Sequence, residues 1–233
     1  MDLLFLAVPE PVAFYPLNAR YKAAEKENRQ TNGLLGDVAI TNGPYNEPGR
    51  AYMFYGTVSS YIEFPNKEGL DTRFSMSLMC WVEPGGQAGP LFSYGVCNRG
   101  VLMGIKGSKL FIRIVERNSS KQLTLIRSPQ ILPVGKWVHV AASFDHSSGS
   151  SSLYINGHLI ASHNIGRGYQ IATNTKKVRM GSRSVGDENF KGKIAEMKVY
   201  DVALNETQIK ASIGQGSCTF PEIIVSLHPP MTT

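Results

Sequence analysis

Alternating apolar and polar residues mark short strands along most of the chain, and the clearest stretch is 136–161, KWVHVAASFDHSSGSSSLYINGHLIA. Every second residue from Val138 to Phe144 is apolar, and alternate side chains of a strand share one face. Asn156-Gly157 divides the following apolar run, and this dipeptide favours a type I′ turn because both residues tolerate positive φ. The pattern predicts antiparallel strands with one buried face and a tight hairpin.

Runs of the same kind follow one another through the chain, separated by turns rich in Gly, Asn and Pro. The predicted strands are 12–18, 38–40, 51–55, 60–64, 74–83, 90–95, 100–105, 109–116, 122–128, 137–144, 152–156, 159–164, 176–181 and 193–200. Repeated short strands with turns between them are typical of a β-sandwich and not of a parallel sheet with crossover helices. One closing helical turn is predicted at 205–213, with Asn205 as N-cap and Gly214 as stop. The length of 233 residues suits one large β domain.

Several of these strands resemble, in order, those of a known family. The matching segments are FYPL (14–17), FSMSLMCWVEP (74–84), GKWVHVAASFD (135–145), SLYING (152–157) and FKGKIAEMKVY (190–200). Together they resemble the laminin G-like, concanavalin A-like jelly rolls, a superfamily that includes pentraxins. The resemblance implies an all-β, two-sheet antiparallel jelly-roll sandwich, the concanavalin A-like lectin/glucanase fold, over residues 12–213. Residues 1–11 are then expected to be a lead-in, and 214–233 a C-terminal tail at the end of a fragment.

The same resemblance implies a function in recognition. We expect a non-catalytic, secreted or cell-surface adhesion module of a larger extracellular protein, which binds a glycan or an extracellular protein. A structural component of an extracellular matrix, including a mineralised one, is one alternative, and an accessory module of a carbohydrate-active enzyme is another. Catalysis is not expected, because jelly-roll glycosidases need two facing carboxylates about 5–9.5 Å apart. The E-x-D-x-E run of related hydrolases does not occur in this sequence.

The charge of the chain indicates an anionic partner. The net charge is +6, and Lys176, Lys177, Arg179 and Arg183 form its densest basic cluster. Such a cluster binds sulphated glycans or acidic surfaces by charge, although ordinary solvated surface residues give the same pattern. A second basic group comprises Lys106, Lys109 and Arg113, and further contact candidates are Asn98, Arg99 and Tyr169. Nucleic acid is not expected, because no recognition motif is present, and no apolar run reaches the ~20 residues of a membrane span.

Calcium is an open question, since many members of the resembled family bind it. Where the family often has F-D-G and I-D-E, this chain has residues 54–56 (FYG) and 194–196 (IAE), so two acidic side chains are missing. Calcium requires six to eight oxygen ligands, usually including several carboxylates. The remaining candidate ligands are Asn32, Asp187 and Asn189.

Three cysteines and two sequons complete the candidates. A disulfide between Cys80 and Cys97, on neighbouring predicted strands, would contribute about 3 kcal/mol. The alternative is two buried free thiols, and Cys218 is the odd cysteine. The triplets beginning at Asn118 and Asn205 match the glycosylation sequon and so favour secretion.

The two tryptophans are also candidates. Trp81 and Trp137 lie in apolar strands. Apolar neighbours favour core packing for both over a sugar-stacking role.

Overall fold

Two antiparallel sheets stack face to face in the computed structural model, which describes residues 7–67, 69–95, 99–119, 121–183 and 188–213. The strands are β1 (Ala13–Tyr15), β2 (Leu34–Leu35), β3 (Val38–Thr41), β4 (Ala51–Tyr55), β5 (Ile62–Pro65), β6 (Met76–Pro84), β7 (Gly89–Tyr94), β8 (Leu102–Lys106), β9 (Lys109–Val115), β10 (Gln122–Arg127), β11 (Val138–Asp145), β12 (Ser150–Ile155), β13 (His158–Asn164), β14 (Lys177–Met180) and β15 (Lys191–Tyr200), followed by helix α1 (Glu206–Ile213). The predicted all-β sandwich is therefore confirmed.

Strand order distinguishes the two layers. The back sheet runs β13-β12-β11-β6-β15-β4-β3, and the front sheet runs β10-β9-β8-β7-β14-β5-β2. β15 is long enough to pair with β4 along its first half and with β1 along its second. A bulge between Ala195 and Lys198 separates the halves, and Glu196 within it adopts φ +53°.

The core lies between the sheets and follows the predicted alternation. Val140, Ala142 and Phe144 of β11 face inward beside Cys80, Leu78 and Met76 of β6, their register partners. From the front sheet, alternate residues such as Leu110, Ile112 and Ile114 of β9 join the same buried cluster. The sandwich thus buries one face of each sheet, and leaves the two outer faces to carry function.

The predicted turn at Asn156-Gly157 and the predicted N-cap at Asn205 are confirmed, whereas the predicted helix stop at Gly214 lies outside the described residues. Asn156 and Gly157 have φ +50° and +79°, as a type I′ turn requires. Asn205 caps α1, because its Oδ1 accepts from the Gln208 N–H at 2.9 Å while Gln208 Oε1 accepts from the Asn205 N–H at 3.0 Å. Within the described part of the chain, no helix is long and apolar enough to cross a membrane.

The structure places Trp81 and Cys80 on opposite sides of β6. The prediction that Trp81 packs in the core is wrong. Its neighbours Cys80 and Val82 face inward, so Trp81 points to the outer face of the back sheet, where it is partly exposed. Cys80 carries a fully buried free thiol, and burial raises its pKa well above the usual range. Its proposed disulfide partner Cys97 lies outside the described residues, as does Cys218.

Candidate functional site

Outward-facing residues of the front sheet form continuous rows across the strands. Strand pairing places Arg113 of β9 opposite Leu102 of β8, and Leu102 opposite Ser93 of β7. Ser93 in turn pairs with Arg179 of β14, and Arg179 with Glu63 of β5. Neighbouring strands are about 4.8 Å apart, so one row brings together charges from strands distant in sequence.

Two adjoining cavities open on this face. The first, of about 560 Å³, is lined by four cations, Lys106, Arg113, Arg127 and Arg183. The second, of about 460 Å³, is lined by the cations Arg99, Lys176, Lys177, Arg179 and Arg183. Arg183 contributes to both cavities. We call the surface formed by these eight cations the basic face.

Glu63 anchors two of the cations in the second cavity. Its carboxylate oxygens lie 2.8 Å from Lys177 Nζ and 2.6 Å from Arg179 Nη2. The Arg179 guanidinium also lies 4.1 Å from the centre of the Tyr61 ring, a cation–π distance. Burial alone would raise the pKa of Glu63, but the hydrogen bonds and charges of the two cations outweigh it and lower the pKa. This ion cluster therefore stays formed at neutral pH and holds Arg179 in one orientation.

Arg113 places a positive charge deep in the first cavity. Its side chain is buried beside Phe111 and Leu102. Burial, with the nearby charge of Arg183, lowers the pKa of Arg113 to about 10, so the guanidinium is still protonated at neutral pH. Charge in a low-dielectric setting attracts an anion more strongly than charge in water does.

Acidic side chains are few in the lining of the two cavities. Among the described residues that line the two cavities, Glu188 is the one carboxylate, and it lies 2.5 Å from Lys106 Nζ. Retaining and inverting glycosidases generally need a pair of carboxyl groups. Eight cations against one lining carboxylate make the described part of the basic face electropositive.

Most predicted contact residues meet on the basic face. Arg99, Lys176, Lys177, Arg179 and Arg183 line the second cavity together. Tyr169 does not line either cavity; it is half-buried, and its carbonyl lies 2.9 Å from His146 Nδ1. Asn98 lies outside the described residues.

Lys106 and Arg113 were predicted as a separate basic group, and both line the first cavity. Arg127, which also lines it, was not among the predicted residues. The strand pattern could have indicated that these cations share the outer face, because they alternate with apolar residues on their strands.

Two of the three candidate calcium ligands, Asn32 and Asn189, lie within the described residues, at different ends of the front sheet's strands. Asn32 lies two residues before Leu34, which pairs with Glu63 of β5, so Asn32 lies towards the Pro65 end of that strand. Asn189 lies beside Gly89 and Phe190, and the Phe190 N–H donates to the Gly181 carbonyl, which follows the far end of β14. Four residues of strand separate these ends, which is about 13 Å, so Asn32 and Asn189 do not fit one ion. Asp187 lies outside the described residues. No group of three or more His, Cys, Asp or Glu side chains suited to a metal occurs in the described part of the chain.

Both sequon asparagines lie at the surface. Asn118 is exposed in the turn after β9, and Asn205 is exposed at the start of α1. A glycan on Asn205 Nδ2 would leave its capping oxygen in place.

Comparison with known proteins agrees with this architecture. The model of the concanavalin A-like lectin/glucanases superfamily, of the laminin G type, matches residues 56–210. The chain belongs to this superfamily. The expected laminin G-like, concanavalin A-like resemblance is thus confirmed.

Among curated relatives, pentraxin-related protein PTX3 of Mus musculus is 28% identical to this chain over 138 residues. The alignment covers 55% of this chain and 35% of PTX3, so the chain corresponds to about a third of that protein's length.

Two solved structures of other proteins have a similar fold. The binding domain of Paraclostridial Mosquitocidal Protein 1 superposes with a TM-score of 0.69 at 17% identity, over 88% of this chain and 52% of that one. Domain 4 of AbnA, an extracellular GH43 arabinanase from Geobacillus stearothermophilus, was solved with arabinotriose. It superposes with a TM-score of 0.65 at 22% identity, over 87% of this chain and 97% of that one. At these identities the likeness establishes the fold.

Proposed function

We propose that this chain is a non-catalytic, extracellular recognition module whose basic face binds an anionic glycan, with a sulphated polysaccharide as the first candidate. The observation that carries the proposal is the convergence of eight cations around two adjoining cavities on one sheet face. Membership of a superfamily of lectins and glucanases supports a glycan ligand. The net charge of +6 supports long-range attraction of a polyanion.

The contacts favour a ligand that carries several charges along its length. Arg113 and Arg179 belong to one row but lie three strands apart, which is about 14 Å. Arg183 lines the cavities on both sides. One small anion cannot reach both ends of this row, whereas a linear polysaccharide with regularly spaced sulphates or carboxylates can.

The test is retention on immobilised heparin and on an uncharged agarose control, eluted by a salt gradient. Because Arg99 and Lys176 are exposed, their reversal in R99E/K176E should leave the fold intact. Each exposed ion pair contributes roughly 0.2–1 kcal/mol, so loss of two and the added repulsion should weaken binding about tenfold.

A matched control separates the basic face from overall charge. Lys136 and Arg167 are exposed and lie outside both cavities, and K136E/R167E changes the net charge by the same amount as R99E/K176E. We expect the control to elute close to the unaltered protein. Equal losses for both double variants, or retention too weak to measure, would reject the basic face as the site and favour a structural role.

A further inference from the structure

The loop between β10 and β11 holds two aliphatic side chains in solvent. Ile131 is 69% exposed and Val134 is 57% exposed, and no other large hydrophobic residue in the described part of the chain is as exposed as Ile131. Pro133, between them, is exposed as well. We call Ile131, Pro133 and Val134 the apolar tip. Exposed apolar residues that lie together within a polar rim are typical of surfaces that contact a protein or a membrane.

The backbone of this loop is fixed at its base. The Leu132 N–H donates to the Ser108 carbonyl, in the turn between β8 and β9, at 2.7 Å. The Gly135 N–H donates to the carbonyl of Pro84, the last residue of β6, at 2.8 Å. The Leu132 side chain is buried in the core between the sheets. The apolar tip is therefore a fixed projection, and its side chains stay exposed because the loop is tied down on both sides of them.

Lysines surround the apolar tip. The hydrogen bonds at its base bring together three chain segments, which are 84–88, 106–110 and 128–137. These segments contain three lysines and no aspartate or glutamate. Lys106 is paired with a carboxylate, but Lys109 and Lys136 form no ion pair with the residues that the structure describes. Lys191 is adjacent, because its carbonyl accepts from the Gly85 N–H at 2.8 Å. This end of the sandwich is therefore positively charged.

The shape of the apolar tip favours a membrane over a folded protein as its partner. A Cβ placed at Gly135 would meet no atom within 4 Å, and the same holds at Gly107 in the adjacent turn, so the tip stands clear of its surroundings. A protein interface of standard size buries about 800 Å² on each partner and is centred on aromatic or arginine side chains. Two aliphatic side chains on a projection offer less area than that. A bilayer needs no matching flat surface, because the projection enters it.

The chemistry of the apolar tip matches the boundary between lipid headgroups and acyl chains. Binding at this boundary grows with the apolar area that is buried and with the attraction of cations to anionic lipids. Ile131 and Val134 supply the apolar area, and the surrounding lysines supply the charge. Pro129 and Pro133 have no N–H that would lose its hydrogen bond to water on entering the bilayer.

We propose that the apolar tip inserts into the surface of a membrane that contains anionic lipids, with Lys109, Lys136 and Lys191 against the headgroups. This membrane site is separate from the basic face and does not depend on a glycan bound there.

Co-sedimentation with large unilamellar vesicles tests the proposal. The vesicles consist of phosphatidylcholine, either alone or with about 30% phosphatidylserine. We expect saturable binding to the vesicles that contain phosphatidylserine, and binding roughly tenfold weaker or less to phosphatidylcholine alone. Raising the salt from about 0.1 M to about 0.5 M should weaken binding to the anionic vesicles, because salt screens the lysine charges.

Substitution of the aliphatic side chains tests insertion. I131S/V134S should weaken binding to the anionic vesicles by roughly tenfold or more, because burial of even one such side chain accounts for about that factor. L34S/V58S is the matched control: Leu34 is 58% exposed and Val58 is 56% exposed. Leu34 lies on β2, at the edge of the front sheet opposite to β10. We expect this control to bind like the unaltered protein.

Charge reversal tests the lysines. K109E/K136E should also weaken binding by roughly tenfold, because each lysine near an anionic surface contributes several-fold. R99E/K176E has the same net charge as K109E/K136E but alters the basic face, and it should bind the vesicles close to the unaltered protein. I131S/V134S should in turn be retained on heparin like the unaltered protein, so the two sites can fail independently.

The proposal is wrong if the vesicles that contain phosphatidylserine do not bind the protein. It is also wrong if I131S/V134S, with an unchanged melting temperature, binds as tightly as L34S/V58S. Equal losses in K109E/K136E and R99E/K176E would reject it too, because the vesicles would then respond to overall charge and not to this end of the sandwich.

Discussion

Asp71, in the loop after β5, is bound by Arg117 and Thr173, which lie in two other segments of the chain. Replacing Asp71 tests how much these contacts contribute to the stability of the sandwich. Its two carboxylate oxygens accept from Arg117 Nη1 at 2.7 Å and Nη2 at 2.5 Å. Thr173 Oγ1 donates to the same carboxylate at 2.7 Å. The Asp71 and Arg117 side chains are only 19% and 16% exposed. Asp71→Ala would leave a guanidinium and a hydroxyl without these partners in a mostly buried setting.

The burial of the Asp71–Arg117 pair determines how much stability Asp71→Ala should lose. Breaking a buried ion pair costs about 3–5 kcal/mol and losing a neutral hydrogen bond about 1 kcal/mol. Because the Asp71–Arg117 pair is partly solvated, we expect Asp71→Ala to lower the free energy of unfolding by about 2–4 kcal/mol. For a domain of this size each kcal/mol shifts the melting temperature by about 2–4 °C, which gives a loss of roughly 5–15 °C.

Urea denaturation followed by tryptophan fluorescence measures this loss, with Asp37→Ala as the control because Asp37 is exposed. A double-mutant cycle with Arg117→Ala isolates the pair, and its coupling energy should exceed about 1 kcal/mol. A loss at Asp71 no larger than that at Asp37, or a coupling energy near zero, would refute the assignment of Asp71 as an anchor.

The same pair predicts a pH dependence. Burial opposes ionisation of Asp71, but hydrogen bonds from Arg117 and Thr173 and the guanidinium charge outweigh it, so the folded pKa lies below the usual value. Stabilisation by the ionised carboxylate is therefore fully present above the unfolded pKa of about 3.9 and is lost as pH falls through the folded pKa. The stability difference between the unaltered protein and Asp71→Asn should shrink between pH 7 and pH 3, and a constant difference would contradict this account.

Three further predictions concern single buried or strained positions. The thiol of Cys80 should resist alkylation in the native protein, because it is fully buried, but should react in guanidinium without reductant; peptide mass spectrometry distinguishes this from a disulfide. The Glu25 carboxylate accepts three backbone N–H groups at 2.7–2.9 Å, so Glu25→Gln should lower the free energy of unfolding by about 1–3 kcal/mol, measured by urea denaturation. Gly149 (φ +74°) and Gly168 (φ +87°) share a left-handed backbone, but a Cβ at Gly149 would contact the Gly166 carbonyl whereas one at Gly168 meets open space. Gly168→Ala should therefore cost about 1–2 kcal/mol from backbone strain, and Gly149→Ala clearly more in the same assay.

Most of the strands and turns could be predicted from short stretches of sequence. The Asn156-Gly157 turn and the Asn205 cap need only their own neighbours in the chain, and both are confirmed. The orientation of Trp81 was harder to read, because two of the outward positions of β6, Met79 and Trp81, are themselves apolar. Met79, on the outer side, is covered by residues of α1 such as Ile209. Where a helix covers an outer face, polar and apolar residues no longer alternate, and the inward side of the strand becomes ambiguous.

The sequence predicted part of the basic face, but not how its cations from different strands come together. Lys177 and Arg179 are two residues apart, so their shared face follows from strand periodicity. Their proximity to Arg113 depends on β14 inserting between β7 and β5, far from its neighbours in sequence. Sheet order is set by the packing of the whole domain, and no local pattern specifies it.

Repulsion among the cations of the basic face favours the proposal that this face binds an anionic ligand. A solvated sheet face is best covered by charges of both signs, since like charges placed together repel. Burial, and after it the charge of Arg183, lowers the pKa of Arg113, which is the direction expected where neighbouring cations repel. A polyanion that neutralises the face would remove the repulsion only in the folded state, and a ligand of the folded state alone raises stability. Soluble heparin should therefore raise the melting temperature of this chain, more at low salt than at high salt, and much less in R99E/K176E.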